Sequence, residues 1–172
     1  MNFNVYELGI PAFIRSLTAL SGLLTKAKSH CEAKKIEPTV LLQSRLIADQ
    51  FPLGMQIQIA CDNAKFFVSR LTSLEAPSFP DTEVTLEEFQ ARIEATIAFL
   101  KTAKPEDFEG CETRTQSFRW RPDVFLSATD YILHYAIPNV YFHITTAYSI
   151  LRANGVDVGK TDFIGSVNWQ KV

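Results

Sequence analysis

The stretch Pro138-Asn139-Val140-Tyr141-Phe142-His143-Ile144-Thr145-Thr146-Ala147-Tyr148-Ser149-Ile150-Leu151-Arg152-Ala153-Asn154-Gly155 decides the fold. Val140, Ile144, Ala147 and Leu151 recur at spacings of four, three and four, the repeat of a helix that buries one face. Asn139, His143, Thr146 and Ile150 keep the same spacing along the adjoining face, so His143 belongs at the interior or the rim of the packed core. Gly155 can take the left-handed conformation that ends a helix. Pro138 removes a helical donor and crowds the preceding turn, at a cost of roughly 3 kcal/mol in mid-helix, so a kink or a restart is expected there.

Three further segments upstream carry the same period. From about Val5 to about Cys31, Phe13, Leu17, Leu20 and Leu24 make an apolar stripe, with Pro11 marking either the true start or a kink. The run Lys35-Ile36-Glu37-Pro38 breaks the pattern, and a short turn of helix is expected to carry Leu41, Leu42 and Leu46. After Pro52 the stripe resumes as Ile57, Ala60, Cys61, Ala64, Val68 and Leu71, and it stops before Glu75-Ala76-Pro77-Ser78-Phe79-Pro80. Thr85-Leu86-Glu87-Glu88 spells a capping box, followed by Phe89, Ile93, Ile97 and Leu100. Helical periodicity lapses between Pro105 and Pro122, where Glu112 to Trp120 alternates loosely and suggests a short strand or hairpin. Four amphipathic helices with no strong strand pattern predict an all-α four-helix bundle, with an irregular or hairpin segment between the third and fourth helices. No repeat and no linker divides the 172 residues, so a single domain over 1–172 is expected.

Charge and thiol content narrow the function classes. A net charge of −2 gives no electrostatic reason to expect nucleic acid or an anionic membrane as partner. Lys26, Lys28, Lys34 and Lys35 cluster near a helix end, where cations suit the helix dipole. Met1-Asn2-Phe3-Asn4-Val5-Tyr6-Glu7 lacks the order of a signal peptide, and no uninterrupted apolar run reaches the length of a membrane span. Cys31, Cys61 and Cys111 are far apart and match neither a disulfide framework nor a zinc ribbon, so reduced thiols in a cytoplasmic protein are the expectation. No phosphate-binding glycine loop and no nucleophile elbow is present.

The helix order, and the run from Leu133-His134 through His143 to Gly155, resemble the DinB/YfiT-like superfamily. Ser44-Arg45-Leu46-Ile47-Ala48-Asp49, Gln56-Ile57-Gln58-Ile59-Ala60-Cys61-Asp62, Pro138 to His143, and Gly159-Lys160-Thr161-Asp162-Phe163-Ile164-Gly165 look like a branch of it described only as a domain of unknown function. The resemblance implies a four-helix bundle, usually a homodimer, in a superfamily that often holds a divalent metal on three histidines. One of those comes from the second long helix and two from a His-x-x-x-His pair on the fourth. Here His143 matches the second member of that pair and Asn139 replaces the first. On the second helix the matching position is near Gln58, or else Gln56 or Asp62 in another register. His134 lies out of phase with His143 and across Pro138, and His30 falls at a helix end among lysines.

One imidazole and two amides make a poor zinc or nickel set, because zinc sites ordinarily use three strong protein ligands. Amide oxygens suit calcium or magnesium only with several further oxygens. The expectation is therefore no cofactor and no metal; any divalent ion would be held weakly by His143, Asn139 and Gln58. The predicted function is a small-ligand-binding or structural homodimer with a polar pocket lined by Gln58, Asn139, Tyr141 and His143. The alternative implied by the resemblance is a metal- and thiol-dependent small-group transferase or hydrolase, with His143 as surviving ligand or base.

Overall fold

The computed structural model describes residues 4–170. In chain order these form α1 (Val5–Lys34), α2 (Pro38–Leu42), α3 (Leu53–Leu71), α4 (Leu86–Leu100), an antiparallel hairpin of β1 (Thr115–Phe118) and β2 (Arg121–Ser127), α5 (Ala128–Asp130), α6 (Ile137–Ala153) and α7 (Lys160–Ile164). The four long helices close a ring in which α1 and α3 each pack against both α4 and α6. The expected stripes face inward: Phe13, Leu17, Leu20 and Leu24 on α1, Ile57, Ala60, Cys61, Ala64, Val68 and Leu71 on α3, and Val140, Ile144, Ala147 and Leu151 on α6 are all buried. Phe13 meets Phe67 edge-on across the core, at 5.2 Å between ring centroids. Each Leu or Phe buried this fully contributes roughly 1.5–3 kcal/mol, so these stripes carry most of the folding energy.

Local signals set the helix ends. Asn4 caps α1 by accepting from the Glu7 backbone N–H, and the helix runs on to Lys34, beyond the expected end near Cys31. Lys35 stops it in the left-handed conformation at φ 56°. Pro11 neither starts nor breaks the helix; it and Glu7, whose carbonyl loses its donor, both lie on the exposed side where water can serve. An 18-residue stretch of this helix, with a mean hydropathy of 1.4, is long and apolar enough to cross a membrane by length and composition, where no such stretch was read from the sequence; half of that stretch is buried inside the bundle. α2 ends at Leu42, so Leu46 lies outside it and is largely exposed. The Thr85/Glu88 capping box of α4 forms in full.

Pro138 produces neither a break nor a restart. The turn Tyr131–Ala136 widens into a π-helix that joins α5 to α6 without interruption. Widening moves the carbonyl of the preceding turn away from the pyrrolidine ring, which relieves the clash that a regular helix would suffer. The hairpin lies later than the alternation suggested, because β2 is exposed along nearly its whole length and has no buried face to impose a period of two. Gly155, at φ 84°, ends α6, and the Val156 N–H returns to the Leu151 carbonyl. In the tail, Phe163 packs edge-on against Tyr148 while Trp169 stays uncovered.

Between α3 and α4 the chain forms a strap, residues 72–85, clipped to the bundle by a buried cation. The Arg92 guanidinium on α4 is 1% exposed and bonds Asp62 of α3 at 2.8 Å, Asp81 at 2.5 Å and Glu83 at 2.9 Å. Phe79 of the strap lies over both Arg92 and Lys65, and Lys65 itself pairs with Asp62 at 2.8 Å. Removing the guanidinium takes the shared partner from three carboxylates, with Asp62 keeping its pair to Lys65. Arg92→Met is expected to lower the unfolding free energy by about 3 kcal/mol, read as a lower urea midpoint.

Candidate functional site

His143 stands on the flank of α6 that faces α3, and it is 7% exposed. Its Nδ1 lies 2.7 Å from Oε1 of Gln56, a side chain itself 1% exposed. Gln56 in turn donates from Nε2 to the backbone carbonyl of Phe51 at 2.9 Å. A carbonyl can only accept, so the amide must present its NH2 to Phe51 and its oxygen to the imidazole. That orientation requires the proton on Nδ1 and leaves the lone pair on Nε2. Burial pushes the His143 pKa down from 6.5 to about 4, so the ring is neutral near pH 7.

The four residues expected to share one pocket do not converge. Gln58 points away from His143 and donates to Oε2 of Glu83 at 3.0 Å. The reason is angular: two residues along a helix rotate a side chain by about 200°, so Gln56 and Gln58 occupy opposite flanks of α3. Tyr141 is likewise two residues from His143, and its ring packs against Phe13 of α1 at 6.4 Å. Asn139 is half-buried one turn before His143. Gln56 therefore takes the place that the sequence reading gave first to Gln58. A signal for it existed: Gln56 lies four residues before Ala60 and eight before Ala64, on the edge of the buried stripe.

The donors present do not suit a transition metal. Among the described residues no group of three or more His, Cys, Asp or Glu side chains comes together in a metal-binding arrangement. His134 lies well exposed near Asp130, remote from the bundle interior, and His30 is half-buried on α1. The thiols add no nucleophile, since all are buried and burial raises each pKa, that of Cys61 to about 12.

A cavity of about 370 Å³ lies elsewhere, between α2, the start of α3 and the strap. Gln58, Asp81, Glu83 and Arg45 are among its lining residues, with Leu42, Met55 and Phe89 supplying apolar surface. The sequence reading missed this cavity because its walls come from segments far apart in the chain. The signal for its hidden support was legible: Arg92 falls between Phe89, Ile93 and Thr96 on the inward face of α4, and a charge in such a stripe demands buried partners.

The comparisons with known proteins agree with this architecture. Residues 5–164 match the family described as Domain of unknown function (DUF1993). The crystal structure of a DinB family member protein from Shewanella denitrificans superposes with a TM-score of 0.93 at 40% sequence identity, covering 99% of this chain and 100% of that one. No curated protein matches the chain.

The buried imidazole makes stability pH-dependent. Its folded pKa of about 4 lies below the unfolded value of 6.5, so between those values the unfolded chain binds more protons and stability falls on acidification. From pH 6.5 down to pH 4 His143 is expected to cost roughly 2 kcal/mol of stability, discounted for the ring's partial access to solvent. Urea titrations of the protein and of His143→Gln across that window check this, the variant losing that part of the slope.

Proposed function

This chain belongs to the DUF1993 family, with the DinB-like helical fold, and on that footing we propose that it is a small-ligand-binding or structural homodimer and that the metal chemistry of the wider superfamily has been given up. The donor set carries this reading: the α3 side chain that meets His143 is the amide of Gln56, where a zinc or nickel centre would need a second strong ligand. An amide that Phe51 holds in one orientation occupies the imidazole's donor nitrogen, and Nε2 is left as the one strong nitrogen donor of the set. Asn139 and either glutamine add only neutral amides, which zinc and nickel bind poorly. A neutral imidazole with its pKa pushed down to about 4 is also a weak base at neutral pH, which argues against a proton-abstracting role.

Dimerisation is supported by the outward faces of α3 and α6. Met55, Ile59 and Phe66 follow one another along the outer side of α3 at spacings of four and seven, and Phe142 stands out from α6 with 56% exposure. A two-fold contact would bury this stripe against its own copy. Sedimentation equilibrium at micromolar concentration is expected to give a dimer, and Phe142→Glu together with Phe66→Glu is expected to shift it to monomer.

Elemental analysis of the purified native protein tests the site itself. The expected result is metal well below one equivalent, with His143→Ala unchanged in metal content. Stoichiometric zinc, nickel or iron that disappears in His143→Ala would overturn the reading and favour a metal-dependent transferase or hydrolase.

A further inference from the structure

On the flank of α3 opposite the Gln56–His143 pair, the cavity of about 370 Å³ is lined by side chains of both charges. That volume falls at the small end of the range for sites that enclose a metabolite. One wall is formed by Asp81 and Glu83 of the strap. Both Glu83 oxygens are engaged, Oε1 by Arg92 and Oε2 by Gln58. Asp81 gives Oδ1 to Arg92 and keeps more than half of its side-chain surface exposed, so Oδ2 is the carboxylate oxygen available to an occupant. Among the described residues the ion pairs on this side join three carboxylates, Asp62, Asp81 and Glu83, to two cations, Arg92 and Lys65.

The same cavity is also lined by Arg45, whose Nη1 is anchored on the Gln50 carbonyl. The rest of its guanidinium fork is suited to a carboxylate. Leu42, Met55 and Phe89 give the cavity apolar surface. Asp81 also has φ 54°, in the left-handed region that Asp and Asn tolerate better than other non-glycine residues. The Arg92 ion pair holds its carboxylate at the cavity wall.

We propose that this cavity binds a small zwitterion of the α-amino acid class, its ammonium on Asp81, its carboxylate on Arg45 and its side chain over Leu42 and Phe89. The proposal rests on the reading of the chain as a ligand-binding bundle, and the two fail separately: a stoichiometric metal lost in His143→Ala sinks that reading, whereas this one is decided by the cavity alone.

The test is amide-resolved NMR of the full chain titrated with the proteinogenic L-amino acids, first pooled and then singly. At least one is expected to bind at millimolar concentration or below, shifting amides around Arg45, Gln58, Asp81 and Phe89. The methyl ester and the deaminated acid of that amino acid, each lacking one charge, are expected to bind at least about tenfold more weakly, the loss of one charge-assisted contact. Arg45→Gln lies outside the Arg92 clip and is expected to weaken binding by a similar factor with an unchanged urea midpoint. Asp81→Asn, which keeps a residue tolerant of left-handed backbone, is expected to weaken it as well. Absence of any binding at ten millimolar ligand overturns the proposal. So does binding that survives Arg45→Gln undiminished, or an ester or deaminated acid that binds as well as the zwitterion.

Discussion

The carbonyl oxygen of Phe51 can accept hydrogen bonds but never donate one, and the chemistry of the bundle interior follows from that restriction. It turns the Gln56 amide one way, and the amide fixes which imidazole nitrogen of His143 holds the proton. Reversing the amide would set two oxygens against each other at Phe51, forfeiting that bond at a cost of roughly 1–3 kcal/mol and forcing the imidazole into its other tautomer. The position of Phe51 is itself a consequence of the fold. It immediately precedes Pro52, whose lack of an N–H suits the edge of α3, and the extended backbone there aims the carbonyl back at the first turn. A local rule about where a helix starts therefore reaches into the protonation state of a side chain on another helix.

The Arg92 cluster performs a comparable task for the strap. Residues 72–85 contain prolines and no regular structure, so they have no ladder of backbone bonds to hold them. One buried guanidinium shared among Asp62, Asp81 and Glu83 replaces that ladder, with Phe79 covering it from the solvent side. Burying such a charge is costly, and the cost is offset only because several carboxylates answer it at once. The arrangement has a geometric product: the strap is held open from α2 and leaves a cavity whose charged wall is pre-set by the ion pair that holds it.

How much of this was legible in the chain depends on range. Helices were readable because their information is periodic and local: Phe13/Leu17/Leu20/Leu24 and Val140/Ile144/Ala147/Leu151 need only their own segments to be interpreted. The capping box at Thr85 and the glycine end at Gly155 are equally local. Pro138 was recognised as a disturbance, but its resolution as a π-turn in the residues before it has no periodic signal of its own. Strand β2 was hidden because exposed alternation leaves no mark on composition. For the site, His143 was singled out on spacing alone, whereas the choice between Gln56 and Gln58 needed the phase of α3 relative to its buried stripe. The partners of Arg92, from Asp62 to Glu83, come from outside its own helix, and no periodic signal announces them.

Gln56 and Gln58 separate what one site would otherwise combine. Lying about 200° apart on the same helix, one closes the interior against α6 and the other opens towards the strap. A three-histidine centre needs its second-helix donor on the interior flank, and here that position holds an amide already committed at both ends. The ligand recognition proposed for this chain falls on the other flank, where Gln58 steadies Glu83, and Arg45 and Asp81 line the cavity. Substitutions on the interior flank act through packing and protonation. Those on the strap flank act through charge, with α3 as the rigid partition between them. Because the flanks share no side chain, the bundle could exchange its buried chemistry without disturbing the surface at which the strap meets solvent.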